Sequence, residues 1–149
     1  MKLFLYFFLF LFLNCQSQYQ GNKPVSPKKE ISFEDKYHYP FSLTQKDFLV
    51  IDSQEKMDEI FKIIHQNNEG NRFSPIPAIV EGETYIIIKP QLKNANDVLI
   101  DNISLSKNTL YVKVKEFNNP DAEKTNRSSP NILLKLLEQT KITKTIIQY

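Results

Sequence analysis

Residues 98–117 alternate apolar and polar positions with the period of two that marks a half-buried strand. Leu110, Val112 and Val114 take one face, and Tyr111, Lys113 and Lys115 the other. Ser106, Lys107 and Asn108 make the turn of a hairpin, with Asn108 tolerating the left-handed conformation such turns need. Along the first strand the parity changes: Val98 and Ile100 point one way, Ile103 and Leu105 the other. Either a bulge near Asp101 and Asn102 shifts the face, or the strand breaks there.

The remaining pattern predicts what covers this hairpin. Residues 47–51 (DFLVI) read as a short buried strand. Asp52 followed three positions later by Glu55 is a capping-box variant that starts a helix over 53–67. Met57, Ile60, Phe61 and Ile64 recur at helical spacing and give it one apolar face, leaving Glu55, Lys56, Glu59 and Lys62 wet. Gly70 is the stop, and His65 sits in the last turn, where a cation is favoured. Two prolines make 72–77 a loop. A short strand is expected at 78–80 and a turn at Gly82 and Glu83. The run TYIIIK at 84–89 shows little alternation, which predicts a central strand buried on both faces. Residues 118–130 form a long polar loop. Residues 131–138 (NILLKLLE) fit a helix or a strand, and the β-branched 143–148 a final strand. Strands segregated from a single helix predict an α+β class: a mostly antiparallel sheet with one amphipathic helix packed on one face.

The N-terminus changes the picture. Residues 1–13 are one lysine followed by an unbroken apolar run. The run suits a secretory leader and is too short to span a bilayer, which takes about 20 residues. It ends at Asn14 and Cys15, and the chain then turns polar. A cysteine directly after such a run resembles the lipobox of bacterial lipoproteins, in which the cysteine becomes the first mature residue and carries the lipid. Cys15 is the only cysteine of the chain, so it has no internal disulfide partner, which agrees with a lipidation site. A lipid chain contributes roughly 0.8 kcal/mol per buried CH₂ to anchoring. The domain organisation expected is therefore a lipoprotein signal peptide at 1–14, a flexible tether at 15–42 and one α+β domain at 43–149. The tether reading rests on Pro24, Pro27, Pro40 and polar neighbours. Its later part, 36–41, is aromatic and packs on the domain edge, with His38 a surface histidine.

Composition narrows the chemistry. The chain has 149 residues and a net charge of +2, or +1 once Lys2 leaves with the leader. Both signs are interspersed, without the basic stripe of a nucleic-acid binder. One cysteine and two histidines far apart exclude a Cys/His-rich zinc site. Three glycines exclude a P-loop and a dinucleotide fingerprint. No serine lies in a nucleophile-elbow pattern, and no carboxylate pair stands out. No catalytic residue, metal or cofactor is assigned.

The order helix, TYIIIK, NTLYVKVKEFNNP with Glu116 and Pro120, then SSPNILLKL with Ser129 and Pro130, resembles the C-terminal domain of the PrcB family, the lipoprotein subunit of a spirochaete protease complex. The similarity runs over about 48–149. It implies a strand at 131–137 and a non-enzymatic domain that binds or stabilises a protein partner. Two functions are therefore carried forward. The first is an envelope lipoprotein, held to a bilayer through Cys15, that binds a protein partner. The second is a small-ligand binder or an enzyme of unrecognised type using a cleft beside the 118–130 loop. In that loop Asp121, Glu123 and Arg127 are the candidate contact residues, Arg127 because its planar fork pairs with carboxylates.

Overall fold

The computed structural model describes residues 27–67, 74–120 and 130–149. They form one helix and eight strands in an α+β arrangement of three layers. Strands β1 (Lys29–Glu30), β5 (Asp97–Ser106), β6 (Thr109–Phe117) and β8 (Lys144–Gln148) make the first sheet, in the order β1-β5-β6-β8. Strands β2 (Phe33–Tyr39), β7 (Asn131–Leu136), β4 (Thr84–Ile88) and β3 (Phe48–Ile51) make the second, in the order β2-β7-β4-β3. Every pairing is antiparallel except β8 on β6. Helix α1 (Gln54–Asn67) covers the outer face of the second sheet.

Two cores follow from this layering. Between the sheets, Ile86, Ile88, Ile132, Leu134 and Leu136 meet Val98, Ile100, Ile103, Leu110, Val112 and Val114. Under the helix, Met57, Ile60, Phe61 and Ile64 meet Tyr85, Ile87 and Leu133. Strand β4 is therefore buried along its whole length, as its unalternating isoleucines predict.

The hairpin of β5 and β6 forms with its register shift between Ile100 and Asn102, so Asp101 is the bulged residue. The bulge lets Ile103 join Val98 and Ile100 on the core face despite its opposite parity. Its outward carboxylate takes Lys115 at 2.9 Å and Lys113 at 3.1 Å. The residue with positive φ in the turn is Lys107 (55°), not Asn108. Gly82, at φ 85°, lies where Glu83 donates to the Val80 carbonyl, the place that requires a left-handed residue in a type II turn.

Several expectations change. Residues 29–39, expected in the tether, form β1 and β2. Ile31 is the reason: it is buried between the sheets, and its neighbours cross from one sheet to the other. Ile31 donates to the Ile103 carbonyl in the first sheet, and the Ser32 carbonyl accepts from Leu137 beside the second. The helix cap is Ser53, whose Oγ accepts from the Lys56 amide, while Asp52 pairs with the Lys56 ammonium at 2.6 Å. Residues 78–80 are irregular rather than a strand, and Ile79 donates to the Gln54 side chain. At 131–138, where the sequence pattern leaves helix and strand open, the strand forms, over Asn131–Leu136. Cys15, Asp121, Glu123 and Arg127 lie outside the described residues.

Candidate functional site

Strand β2 is an edge strand of the second sheet, and its sequence FEDKYHY does not alternate simply. Its register against β7 shifts between Asp35 and Tyr37, leaving Lys36 as an extra residue. Phe33 and Asp35 stand opposite Leu136 and Leu134, and His38 stands opposite Ile132. All three partners belong to the inter-sheet core. The bulge thus brings Asp35 and His38, three residues apart, to the same side of the strand. In a regular strand they would point to opposite sides.

On that side His38 reaches across to the first sheet. Its Nδ1 lies 2.5 Å from Asp97 Oδ1, and its Nε2 lies 2.9 Å from Asp35 Oδ2. Asp97 opens β5 and is almost fully buried (2% exposed). It also accepts from the Asn119 side-chain amide and from the Val98 backbone N–H, both at 2.9 Å. Asn119 is fixed in turn by Asn96, which donates to its carbonyl and accepts from its N–H. The result is a polar clasp that joins the two sheets at the open end of the hairpin.

Both ring nitrogens face carboxylates, an environment that fits the doubly protonated imidazolium, which donates at both. Burial of the ring opposes that charge, but the bonds to Asp35 and Asp97 and their negative charges outweigh it and raise the His38 pKa. Burial likewise opposes ionisation of Asp97, yet the bonds from Asn119, His38 and Val98 N–H hold its carboxyl below the usual range.

Beside the clasp runs a groove of about 470 Å³ lined by Asp35, His38, Asp97 and Asn119 and rimmed by Tyr37, Leu99 and Phe117. These three rim residues are 51%, 56% and 40% exposed. Phe117 stands opposite Asp97 in the hairpin register. Tyr37 packs against Tyr39, and Tyr39 against Phe41, at centroid distances of 6.0 and 5.5 Å. Burial pushes the Tyr39 phenol up to about 12.

The arrangement leaves no ring nitrogen of His38 unengaged. A general base needs a nitrogen free to take a proton, and both His38 nitrogens are engaged. His65 is tied down elsewhere, with Nε2 2.9 Å from the Ser74 carbonyl and its ring edge-on to Phe61. Among the described residues no group of three or more His, Cys, Asp or Glu is placed to hold a metal ion.

From sequence alone His38 reads as a surface residue, because no other candidate ligand is close to it in the chain. Its partner Asp97 lies 59 positions away. The available signal was the broken alternation of β2 and an aspartate opening an apolar strand. Tyr111, Lys113 and Lys115 lie on the outer face of the first sheet, where the Lys28 ammonium sits 3.8 Å from the Tyr111 ring centroid. No family model matches the chain, and no significant match exists among curated proteins or solved structures.

Proposed function

We propose that the chain is a membrane-anchored lipoprotein of the bacterial cell envelope whose domain serves as a non-enzymatic protein-interaction module. The observation that carries this reading is the exposed trio Tyr37, Leu99 and Phe117, set around a groove whose histidine is fully engaged by carboxylates. Aromatic and aliphatic side chains left in water on a rigid sheet are what interface anchors look like. The leader and Cys15 supply the membrane link. The resemblance to the PrcB C-terminal domain supports a protein partner. Asn119 lines the groove and lies two positions before Asp121 in the sequence, so Asp121, Glu123 and Arg127 are proposed as further polar contacts. Among the described residues no helix is long and apolar enough to cross a membrane.

The test is affinity capture of the detergent-solubilised lipoprotein, with mass spectrometry of what accompanies it. Leu99→Ser with Phe117→Ser should abolish recovery of the specific partner while leaving the melting temperature nearly unchanged, because both residues are exposed. Replacing 121–127 with a Gly/Ser segment of equal length should reduce recovery. Unchanged recovery in the Leu99/Phe117 variant, with the fold intact, removes this surface as the interface. A small molecule retained by the wild type, with no protein, would favour the ligand-binding reading, which the convergence of Asp35, Asp97 and Asn119 also suits.

The anchor has its own test. Wild-type cells should incorporate a palmitate analogue into the protein, and Cys15→Ala should lose the label. Equal labelling of the two forms refutes lipidation at Cys15.

A further inference from the structure

Among the described residues four strands form sheet edges, and they are not alike. β1 is two exposed charged residues. β2 carries Glu34, Asp35 and Lys36 and a bulge, which are the usual defences against edge pairing. β8 carries Lys144 at its start. β3 is Phe48-Leu49-Val50-Ile51, with no charge, no proline and no register shift. Phe48 and Val50 pack against the inter-sheet core and Leu49 against the helix core, yet all three are only partly buried. A groove of about 580 Å³ runs along this strand, bounded by Lys46, Asp47, Asp52 and Lys56.

The ladder fixes which backbone groups of β3 face outward. Lys89 N–H donates to the Asp47 carbonyl at 3.1 Å, so Asp47 and Lys89 are a hydrogen-bonded pair. Antiparallel pairs alternate, so Leu49 and Ile51 also bond to β4. The N–H and C=O of Phe48 and Val50 therefore point away from the sheet. A group of this kind is completed by another extended backbone.

We propose that β3 is a homodimer edge, pairing antiparallel with β3 of a second copy to join two four-stranded sheets into one of eight strands. Exchanging bonds through Phe48 and Val50 sets a single two-fold register. Phe48 of each copy stands opposite Val50 of the other, and Leu49 opposite Leu49. Four backbone hydrogen bonds close the pair, and each Phe48 meets an apolar neighbour. Carried outward by two residues, the same register sets Lys46 of each copy against Asp52 of the other. This charge complementarity appears at both ends of the interface and identifies a second copy of the chain as the occupant. The inference uses neither the lipid anchor nor the Leu99–Phe117 surface.

The experiment uses the full chain with Cys15→Ser, solubilised in a density-matched detergent. Sedimentation equilibrium should show mass rising from one copy to two with concentration. Leu49→Cys should then form an intermolecular disulfide on mild oxidation, because directly opposed residues of a non-hydrogen-bonded pair lie within disulfide reach. Ser104→Cys, on the other sheet, should not. Lys46→Asp should lower the cross-linked fraction by about fivefold, since it makes two like-charge contacts. Adding Asp52→Lys should restore it. Val50→Pro removes an outward N–H while sparing the bonds to β4, and should leave a folded monomer. A monomer at all concentrations overturns the proposal, as does cross-linking indifferent to the charge at position 46. Cross-linking of Leu49→Cys to a different protein, with no dimer, also overturns it and gives the edge another occupant.

Discussion

Phe61→Ala should destabilise the domain by about 3–5 kcal/mol, one of the largest effects expected of a single truncation in this chain. Phe61 is fully buried at the centre of the helix core, among Met57, Ile60, Ile64, Tyr85, Ile87 and Leu133. That core is what holds α1 on the second sheet. Removing the ring leaves a cavity that the flanking strands cannot fill by moving, because β4 and β7 are also pinned by the inter-sheet core on their other face. The ring also supports His65, the link from the end of the helix to Ser74. Thermal unfolding followed by circular dichroism should show a fall in Tm of roughly 10–20 °C for a domain of this size. Lys62→Ala, on the wet face beside it, should stay within about 0.5 kcal/mol of wild type. Equal melting of Phe61→Ala and wild type would mean that the helix does not cover the sheet through this face.

The face carrying Phe61 was legible because a helix writes its burial into local spacing. Met57, Ile60, Phe61 and Ile64 need no knowledge of the rest of the chain. The same holds for β4, whose isoleucines declare burial on both sides, and for the hairpin, whose parity change at Asp101 and Asn102 announces a bulge. The division into two sheets was not legible, because it is decided by pairings between distant segments. β1 and β2 are separated by two residues and join different sheets, and β8 runs parallel to β6 rather than forming another hairpin. Residues 29–42 looked like a linker because they continue a polar, proline-containing stretch and show no regular apolar period, while Ile31 and Tyr39 do the burying. The clasp was hidden twice over. The bulge at Lys36 removes the alternation that would place Asp35 and His38, and Asp97 is remote in sequence. The turn and the cap show a smaller version of the same limit. Asn108 is by preference the better residue for a left-handed position and Asp52 caps as well as Ser53, but the local geometry gives those roles to Lys107 and Ser53.

The clasp should make stability depend on pH in a way that single substitutions can separate. The groups that face the His38 ring are Asp35 from its own strand and Asp97 from β5, while its neighbour opposite on β7 is Ile132. Because the folded pKa of His38 is raised, its contribution is fully present below the unfolded value near 6.5 and is lost as pH rises through the folded value. Because the folded pKa of Asp97 is lowered, its contribution is present above the unfolded value near 3.8 and is lost as pH falls through the folded value. The clasp is therefore at full strength between about pH 4 and pH 6.5, and Tm should be highest there. His38→Gln should flatten the decline on the alkaline side, and Asp97→Asn the decline on the acid side. Asp97→Ala should cost about 2–4 kcal/mol at pH 6, because it strips an almost fully buried carboxylate from the imidazolium, the Asn119 amide and the Val98 N–H. Titration of the His38 ring by NMR gives a direct reading: Asp97→Asn and Asp35→Asn should each lower its pKa. If His38 titrates at the same pH in all three proteins, the two carboxylates do not hold the ring, and the sheets are joined at this end by packing alone.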